Sequence, residues 1–401
     1  MIIFPQPIVF KGHSSSVRAL CCVPPATLPS PPGSVAAWEI ARHVASASAD
    51  GTLRLWKVEC KGKCVATLEV ENAQSNSRAR ARAAKMLCVD IVAHLSLAVT
   101  GDAAGVVRIW DLVDECCLHV FEGHTKEVNG VVALPSALPD GRLGFVSASS
   151  DGSVRVWGLA AAAAPRPHPA AGQSAAAGQS AAATAAEGGS SSESGSFTSW
   201  ASPHVLAVHA VSCGAAAAAM CGHTGGANCI TLLPDGVHAV SGGDDGTIRM
   251  YSAGKGAAAA PCGFEAVHEG AVHTLMVCSR GAWQAAPLLL SAGDDCCVRV
   301  HALPCVGNGQ AWHWSLRLFE GHTDSILCMS IADGYVLTGS VDRTIRVWNL
   351  REAEEEEEEE GSGKDACAAV VGPLADAVAS IAVVRNVLLH GDVNGRLCGV
   401  F

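Results

Sequence analysis

Seven short segments of the chain share variants of one pattern of polar and hydrophobic positions. In the clearest copy, residues 50–56, a polar Asp-Gly turn precedes an aliphatic residue, a polar or charged residue, a second aliphatic residue and an aromatic residue. Apolar residues that alternate with polar ones predict a β-strand with one buried face. The copies start 47 to 54 residues apart, apart from one interval of 94, and such a period predicts a repeat architecture. The seven segments are residues 50–56, 104–110, 151–157, 245–251, 295–301, 342–348 and 394–400.

Each repeat contains four predicted strands. Repeats of this kind bury a face only against their neighbours, so seven of them use the whole length as one domain, residues 1–401. We therefore expect an all-β fold. In the sixth repeat the predicted strands are residues 316–319, 326–331, 335–339 and 344–348.

Three segments are predicted to be disordered insertions into this repeat pattern. Residues 159–199 consist almost entirely of Ala, Gly, Ser, Gln and Pro, a composition that cannot bury enough apolar surface to offset chain entropy. Without them the interval of 94 residues shrinks to about one ordinary period, so no eighth repeat is required. The other two predicted insertions are at about residues 24–36 and 352–365.

A Gly-His dipeptide recurs at a fixed place in the repeats, and a Trp-Asp dipeptide occurs in one of them. Gly-His stands near the start of four repeats, and Trp-Asp ends the last strand at residues 110–111. This pattern resembles the WD-repeat family, and the resemblance covers nearly the whole chain. It implies a seven-bladed β-propeller with four strands in each blade. The Gly-His dipeptides are residues 12–13, 123–124, 222–223 and 321–322.

The first predicted strand lies before the first Gly-His rather than inside the first repeat. Residues 7–11 match residues 316–320 in position, while the chain ends after the seventh repeat pattern. We expect the N-terminal strand to pair with the last blade and close the ring, which would remove the exposed edges of an open array.

The resemblance also implies a hydrogen-bonded tetrad of His, Ser or Thr, Asp and Trp inside each complete blade. A buried His needs partners for both ring nitrogens, and the other three side chains can supply and share them. Ser, His and Asp also form hydrolase triads, but a pattern repeated in several blades favours a structural role, because a triad would occur once. The predicted tetrads are His13, Ser46, Asp50 and Trp56; His124, Ser147, Asp151 and Trp157; and His322, Thr338, Asp342 and Trp348.

Members of this family commonly contact partners three and five residues after the His and one residue before the Asp. Transferred to this chain, the positions place cations in the first two blades and carboxylates in the fourth and fifth, which would suit a partner with a charge gradient. The alternative is that they are solvated turn residues, since Asp is common in turns. The predicted partner-binding residues are Arg18, Lys85, Leu87, Glu127, Asn129, Asn228, Asp244, His273, Asp294 and Leu327.

The net charge of -11 comes mainly from one segment. Glu352 and the Glu run at 354–360 contribute eight negative charges, so about -3 is left for the rest, which disfavours general nucleic-acid binding. Residues 78–85 are a basic exception with Arg78, Arg80, Arg82 and Lys85. They would suit an acidic peptide, a phosphorylated segment or RNA, or would only keep a loop solvated. The Glu run leaves the same choice between a basic partner and solvation.

The eighteen cysteines are predicted to be reduced, buried thiols. Residues 1–7 contain neither a basic region nor a long apolar run, and no Cys-x-x-Cys pair points to zinc. No stretch is apolar for the roughly 18 residues that a membrane helix needs. We expect an intracellular protein, cytoplasmic or nuclear, without a metal, a cofactor or a membrane segment.

These observations favour a non-catalytic scaffold or adaptor that binds one or more proteins or peptides. No phosphate-binding glycine loop or unique nucleophile setting is present. One alternative is a substrate receptor of a cullin-type ubiquitin ligase, because residues 347–351 resemble the Trp-Asp-x-Arg box of such receptors, with Asn in place of Asp. Another is an enzyme with a site at the channel mouth around His273, Asp244 and Asp294.

Overall fold

The computed structural model describes thirteen stretches of the chain, and the predicted insertions lie almost wholly outside them. Residues 24–36, 160–199 and 352–365 are outside the described residues. Leu159 is not part of an insertion: it is the fully buried last residue of a strand, because its side chain packs in the core. The described stretches are residues 8–22, 43–58, 62–70, 85–92, 95–135, 143–159, 222–252, 263–278, 287–303, 317–332, 334–350, 367–384 and 387–400.

Nearly all regular structure in these stretches is β-strand. The strands are short because each repeat alternates strand residues with turn residues. In chain order they are β1 Ile8–Phe10, β2 Val17–Cys22, β3 His43–Ser48, β4 Thr52–Lys57, β5 Lys63–Glu69, β6 Met86–Val92, β7 Leu97–Asp102, β8 Val106–Asp111, β9 Cys116–Glu122, β10 Val128–Ala133, β11 Leu143–Ser149, β12 Val154–Leu159, β13 Ala227–Leu232, β14 His238–Gly243, β15 Thr247–Ser252, β16 Gly263–Ala266, β17 Val272–Cys278, β18 Leu288–Gly293, β19 Cys297–Ala302, β20 Arg317–Glu320, β21 Ile326–Ala332, β22 Tyr335–Ser340, β23 Ile345–Asn349, β24 Cys367–Val371, β25 Val378–Val384, β26 Val387–Asp392 and β27 Leu397–Val400.

The strands of the described residues form seven antiparallel sheets, which are the blades of a β-propeller. The first strand of each blade is innermost and contacts the innermost strands of both neighbouring blades, and the contact between β2 and β25 joins the first blade to the last. The predicted all-β, seven-bladed fold is confirmed. In order from blade 1 to blade 7, the sheets are β2-β3-β4-β5, β6-β7-β8-β9, β10-β11-β12, β13-β14-β15-β16, β17-β18-β19-β20, β21-β22-β23-β24 and β25-β26-β27-β1.

The N-terminal strand lies in blade 7. β1 pairs antiparallel with β27, with Ile8 opposite Gly399 and Phe10 opposite Leu397. The Phe10 side chain is buried in a cluster with Trp56 of blade 1 and Leu397 of blade 7. The two ends of the chain therefore share one sheet and one core cluster.

The turns between the second and third strands of the blades bring one blade against the loop of the next. Gly51 and Gly105 adopt left-handed φ values of 86° and 84°, a conformation that favours glycine. A Cβ atom on Gly105 would lie 2.5 Å from the carbonyl oxygen of His124, which is in the Gly-His loop of the following blade. Cys296 and Arg343 hold the same turn position in blades 5 and 6 at φ 62° and 67°. The turns and the Gly-His loops thus form one continuous surface at one end of the ring, here called the loop face.

Candidate functional site

A chain of hydrogen bonds runs inward from the Gly-His loop of blade 1. Nδ1 of His13 lies 2.8 Å from Oδ2 of Asp50, and Nε2 lies 2.6 Å from Oγ of Ser46. Trp56 donates its indole N–H to the same Ser46 oxygen at 2.7 Å. With its proton on Nδ1, the imidazole donates to the carboxylate and accepts from the hydroxyl, so both ring nitrogens are satisfied.

Blades 3 and 6 contain the same arrangement, so the three tetrads named from the sequence are each brought together. The His–Asp, His–hydroxyl and Trp–hydroxyl distances are 2.9, 2.7 and 2.8 Å in blade 3. They are 2.7, 2.7 and 2.9 Å in blade 6. The side chains are His124, Asp151, Ser147 and Trp157 in blade 3, and His322, Asp342, Thr338 and Trp348 in blade 6.

Blades 4 and 5 keep the His and the hydroxyl but replace the Trp. His223 retains its bond to Ser241 at 2.8 Å, while the Tyr251 phenol lies 3.4 Å from that serine oxygen. In blade 5, Nε2 of His301 lies 2.8 Å from Oγ of Ser291 and occupies the place of the indole nitrogen. Burial lowers the pKa of His301 to about 4, so the ring is neutral and can share a hydrogen atom with the hydroxyl.

Blades 2 and 7 have no His in this position and close their turns with a different carboxylate. Asp102 accepts from the backbone N–H groups two and four residues further on, at 2.8 and 2.9 Å. Asp392 makes the same pair of bonds at 2.9 and 2.8 Å. Aligning the turns by the repeat pattern places Ala104 and Asn394 in the Asp position and therefore misses both residues. The Gly-Asp dipeptides that end β7 and β26 are the signal that could have identified them.

The tetrads differ from a hydrolase triad in their accessibility. The hydroxyls of Ser46, Ser147 and Thr338 are fully buried, so a substrate cannot reach them. Burial lowers the pKa of His124 and His322, although their Asp partners oppose this effect, and both rings are therefore neutral near pH 7. The chemistry that this arrangement supports is hydrogen bonding within the blade.

The loop face is built on one backbone hydrogen bond that recurs in every blade. The residue before the turn Asp donates its N–H to the carbonyl of the residue three positions after the His, or its equivalent in blades 2 and 7. Two of the three expected partner-contact positions are therefore adjacent in space. The seven bonds are Ala49 to Ser16, Ala103 to Lys85, Ser150 to Glu127, Asp244 to Gly226, Asp294 to Ala271, Val341 to Ser325 and Val393 to Ala377.

Blades 4 and 5 add side-chain bonds between these positions. Asn228 donates to Oδ1 of Asp244 at 2.7 Å, and Nε2 of His273 lies 2.7 Å from Oδ1 of Asp294. Ser325, in blade 6, donates to the same Asp294 oxygen at 2.9 Å. Partial burial raises the pKa of Asp294, but the hydrogen bonds from His273 and Ser325 outweigh it, and the pKa lies below its usual value. Both carboxylates are exposed and held in fixed orientations by these hydrogen bonds.

Blade 3 has a neutral version of the same pair. Asn129 donates to Oγ of Ser150 at 2.9 Å and to the carbonyl of Ala227 in blade 4 at 3.1 Å. Glu127 is exposed beside it. Ser150 and Ser325 also occupy family contact positions, one residue before the Asp in blade 3 and three residues after the His in blade 6, although they were not selected among the predicted partner-binding residues.

The remaining predicted contact residues also lie on the loop face. Arg18 and Lys85 are exposed in blades 1 and 2, whereas Leu87 and Leu327 are half-buried. The other cations of the basic segment, at positions 78, 80 and 82, lie outside the described residues.

The three side chains of the enzyme alternative are not joined in one hydrogen-bonded group: His273 bonds Asp294, and Asp244 has other partners. The Ser325 hydroxyl donates to Asp294 rather than to His273, so the imidazole is not placed to take a proton from the serine. Asp244 accepts hydrogen bonds from the Asn228 side chain and from the backbone N–H of Gly226. Within the described stretches, no three His, Cys, Asp or Glu side chains are grouped so as to hold a metal ion, and no helix is long and apolar enough to cross a membrane.

Several thiols connect neighbouring blades. Cys88 donates its S–H to the carbonyl of Val128 in the next blade at 3.4 Å, and Cys229 and Cys328 make equivalent contacts at 3.7 Å. Burial raises the pKa of Cys229 to about 12, so the group stays a thiol. These three cysteines of the described residues are free and act as small buried donors.

The repeats match a known family model in four places. The WD40 model, described as "WD domain, G-beta repeat", matches residues 5–57, 115–158, 216–252 and 314–349. These segments contain the Gly-His loops of blades 1, 3, 4 and 6.

Curated relatives share only a short segment with this chain. The probable E3 ubiquitin ligase complex SCF subunit sconB of Talaromyces marneffei is 36% identical over 50 residues, which are 12% of this chain and 8% of the relative. The same subunit of Penicillium rubens is 39% identical over 41 residues, 10% of this chain and 6% of the relative. Among solved structures, the WD40 β-propeller domain of Doa1 superposes with a TM-score of 0.59 at 16% identity, covering 100% of this chain and 97% of that one.

Proposed function

The chain is a WD-repeat β-propeller, and on this premise we propose that it is a non-catalytic protein-interaction scaffold or adaptor whose partners bind the loop face. Propeller architecture alone does not decide function, so the proposal depends on the site. Its main support is the pair of exposed carboxylates, Asp244 and Asp294, which are oriented by side chains from the partner-contact positions. Polar groups that are already held in place lose little conformational freedom when a partner binds.

The distribution of charge on the loop face supports a partner that also has separated charges. Arg18 and Lys85 are exposed in blades 1 and 2, and Asp244 and Asp294 are exposed in blades 4 and 5. Such complementarity favours one orientation of the partner and speeds encounter. The partners proposed are one or more proteins or peptides.

The proposal is tested by affinity or proximity capture from native cells. We expect defined partners with the wild type, and their loss from a variant in which Arg18, Lys85, Asp244 and Asp294 are all replaced by Ala. Circular dichroism and thermal unfolding of the purified variant establish that it is folded. Retention of the same partners would show that the loop face is not the binding surface.

A matched control changes exposed charges elsewhere. Lys63, Glu69 and Glu122 are exposed on the outer strands β5 and β9. Their joint replacement by Ala also removes surface charge but leaves the loop face intact, so partner capture should be unchanged. Equal loss in both variants would point to a general charge effect.

A second candidate is the substrate receptor of a cullin-type ubiquitin ligase. It is favoured by the similarity to sconB, a probable subunit of an SCF E3 ubiquitin ligase complex, although the matched segment covers only 8% of the Talaromyces protein. Asn349 takes the Asp position of the docking box at the end of β23, and the Arg at position 351 lies outside the described residues. The test is whether a cullin adaptor copurifies with the wild type and is lost on Arg351→Ala; absence of the adaptor from wild-type captures would exclude this role.

An intracellular site of action, cytoplasmic or nuclear, is part of the proposal. It is supported by the buried thiols that hydrogen-bond across blades, which suit a reducing compartment. Imaging of a fluorescent fusion in the native cell would test it, and a signal confined to the secretory pathway would contradict it.

A further inference from the structure

The loop face changes character between blade 5 and blade 6. In blades 3, 4 and 5, the residue five positions after the His is hydrogen-bonded to the residue before the turn Asp. In blades 6 and 7 the same two positions are aliphatic. They are occupied by Leu327 and Val341 in blade 6 and by Ala379 and Val393 in blade 7, here called the apolar crescent.

Two valines of the apolar crescent are exposed in turns where the side chain contributes no hydrogen bond to the backbone. Val341 is 36% exposed and Val393 is 39% exposed, each at the start of a tight turn. Turns favour Asp, Asn and Ser because those side chains bond the nearby backbone, which valine cannot do. The backbone N–H groups of both valines already bond the carbonyls of Ser325 and Ala377, a role that any residue other than proline would fill. The two valines hold the same turn position in neighbouring blades, and exposed apolar patches rimmed by polar groups mark binding surfaces.

The charges on the two sides of the apolar crescent have opposite signs. On the blade 5 side, Asp294 and Asp324 are exposed, and Ser325 links Asp294 directly to blade 6. On the blade 7 and blade 1 side, the exposed ions are the cations Arg396 and Arg18, and the half-buried Asp376 lies in the loop of blade 7 directly before Ala377. A ligand that covers the valines therefore meets carboxylates at one end and guanidinium groups at the other.

Blade 6 carries one further cation. Arg343 is exposed in the turn that begins at Val341, and its carbonyl accepts from Leu374 of blade 7. It stands on the basic side of Val341, because the turn runs towards the loop of the following blade. The exposed ions therefore still change from acidic to basic across the apolar crescent.

We propose that the apolar crescent and the carboxylates of blade 5 form one docking surface for an extended partner segment. The segment carries a Lys or Arg, then aliphatic side chains, then an acidic residue. The cation meets Asp294, the aliphatic side chains cover Val341 and Val393, and the acidic residue faces Arg18 or Arg396. This inference rests on the proposed function and specifies the chemistry of the partner.

The test uses synthetic fluorescein-labelled peptides and the full chain, with binding measured by fluorescence anisotropy. The probe is a ten-residue peptide with a central Lys-Leu-Leu-Glu flanked by Gly and Ser, together with its reversed sequence, because the chain direction is open. Comparison peptides replace both Leu by Ser, or the Lys by Glu. We expect one of the two Lys-Leu-Leu-Glu directions to bind at least about 10-fold tighter than the serine and glutamate peptides.

Variants of the protein test whether the peptide binds at the apolar crescent. Val341→Ser with Val393→Ser should weaken the leucine peptide about 10-fold and leave the serine peptide unchanged. Asp294→Asn should reduce the preference for Lys over Glu. The matched control is Val65→Ser with Val370→Ser, since these valines are 51% and 50% exposed on outer strands away from the loop face.

A second substitution at position 341 controls for misfolding of the serine variant. Val341→Asp introduces the residue type that blades 4 and 5 already carry at this position, so the turn should form. The leucine peptide should nevertheless bind this variant more weakly than it binds the wild type. Equal binding of leucine and serine peptides, no binding of either direction, or no effect of the valine variants would each overturn the inference.

The same variants separate this inference from the function on which it rests. If native partners are lost on changing Arg18, Lys85, Asp244 and Asp294 but kept on changing Val341 and Val393, the loop face binds partners and the apolar crescent does not. If neither set affects capture, the proposed function itself fails.

Discussion

The phenyl ring of Phe10 lies edge-on against the indole of Trp56, with the ring centroids 5.7 Å apart. Phe10 belongs to β1 in blade 7 and Trp56 to β4 in blade 1, so the contact joins the two blades at which the ring closes. The residue three positions before the His packs on the Trp of that His in two other blades as well. Those pairs are Phe121 with Trp157 at 5.3 Å and Phe319 with Trp348 at 5.5 Å.

Replacing Phe10 with Ala should therefore weaken ring closure. The side chain is buried, and loss of a buried phenyl group costs about 3 to 5 kcal/mol through lost transfer energy and the cavity that remains. Urea unfolding of the purified protein measures the change, and limited proteolysis shows whether the N-terminal segment is released first. Val9→Ala in the same strand is the control, because Val9 is 45% exposed and should change stability by less than about 0.5 kcal/mol. Similar losses for both variants would argue against a specific role of the aromatic contact.

Ser46→Ala should destabilise blade 1 by about 1 to 3 kcal/mol, because it leaves Nε2 of His13 and the indole N–H of Trp56 without their shared buried partner. Ser14→Ala changes an exposed serine whose backbone N–H, rather than its side chain, bonds Asp50. Chemical denaturation of both variants should show a clear loss only for Ser46. An unchanged free energy of unfolding for Ser46→Ala would mean that the tetrad hydroxyl is dispensable.

The Gly of the Gly-His loop should tolerate Ala in blade 4 and not in blade 1. A Cβ atom on Gly12 would lie 2.6 Å from a guanidinium nitrogen of Arg54 and 2.9 Å from the Trp56 ring. On Gly222 the nearest atom would be 3.7 Å away, an ordinary contact. Thermal unfolding should therefore show a lower Tm for Gly12→Ala and little change for Gly222→Ala. The reverse order would indicate that the Trp does not determine this constraint.

Stability should fall in acid in two steps. The pKa of His301 is lowered by burial from 6.5 to about 4, so the unfolded chain takes up a proton first and stability is lost as pH falls from about 6.5 to about 4. Asp295 and Asp342 are also shifted down, to about 2, because hydrogen bonds from His and hydroxyl or amide groups outweigh the effect of burial. Their contribution is present above pH 3.8 and is lost below it.

A variant without the His301 imidazole tests whether this group causes the loss of stability between about pH 6.5 and pH 4. In His301→Phe, the loss of unfolding free energy between about pH 6.5 and pH 4 should be smaller than in the wild type, by up to about 3 kcal/mol. The lower step should remain, since the two carboxylates are unchanged. A variant with the same slope as the wild type in the upper range would assign that slope to other groups.

Much of the fold was predictable because its determinants are local and repeated. The strand residues alternate at period two, and the turn sequences recur at a nearly constant spacing, so the seven blades follow from the chain itself. The members of each tetrad were also predictable, since His13, Ser46 and Asp50 occupy fixed places relative to the turn. Prediction failed for Asp102 and Asp392, where a carboxylate two residues earlier closes the turn and the repeat alignment conceals it.

The sequence by itself determined the repeat, the all-β class and the residues of the loop face, because each of these depends on neighbouring positions in the chain. Only the tertiary structure decided which of those residues act together. Ser325 orients Asp294 from the next blade, Phe10 covers Trp56 across the closure, and Val341 and Val393 are left exposed at the same turn position of neighbouring blades. Contacts between blades depend on how the sheets are packed side by side in the ring, and no local pattern of hydrophobic and polar positions encodes that arrangement.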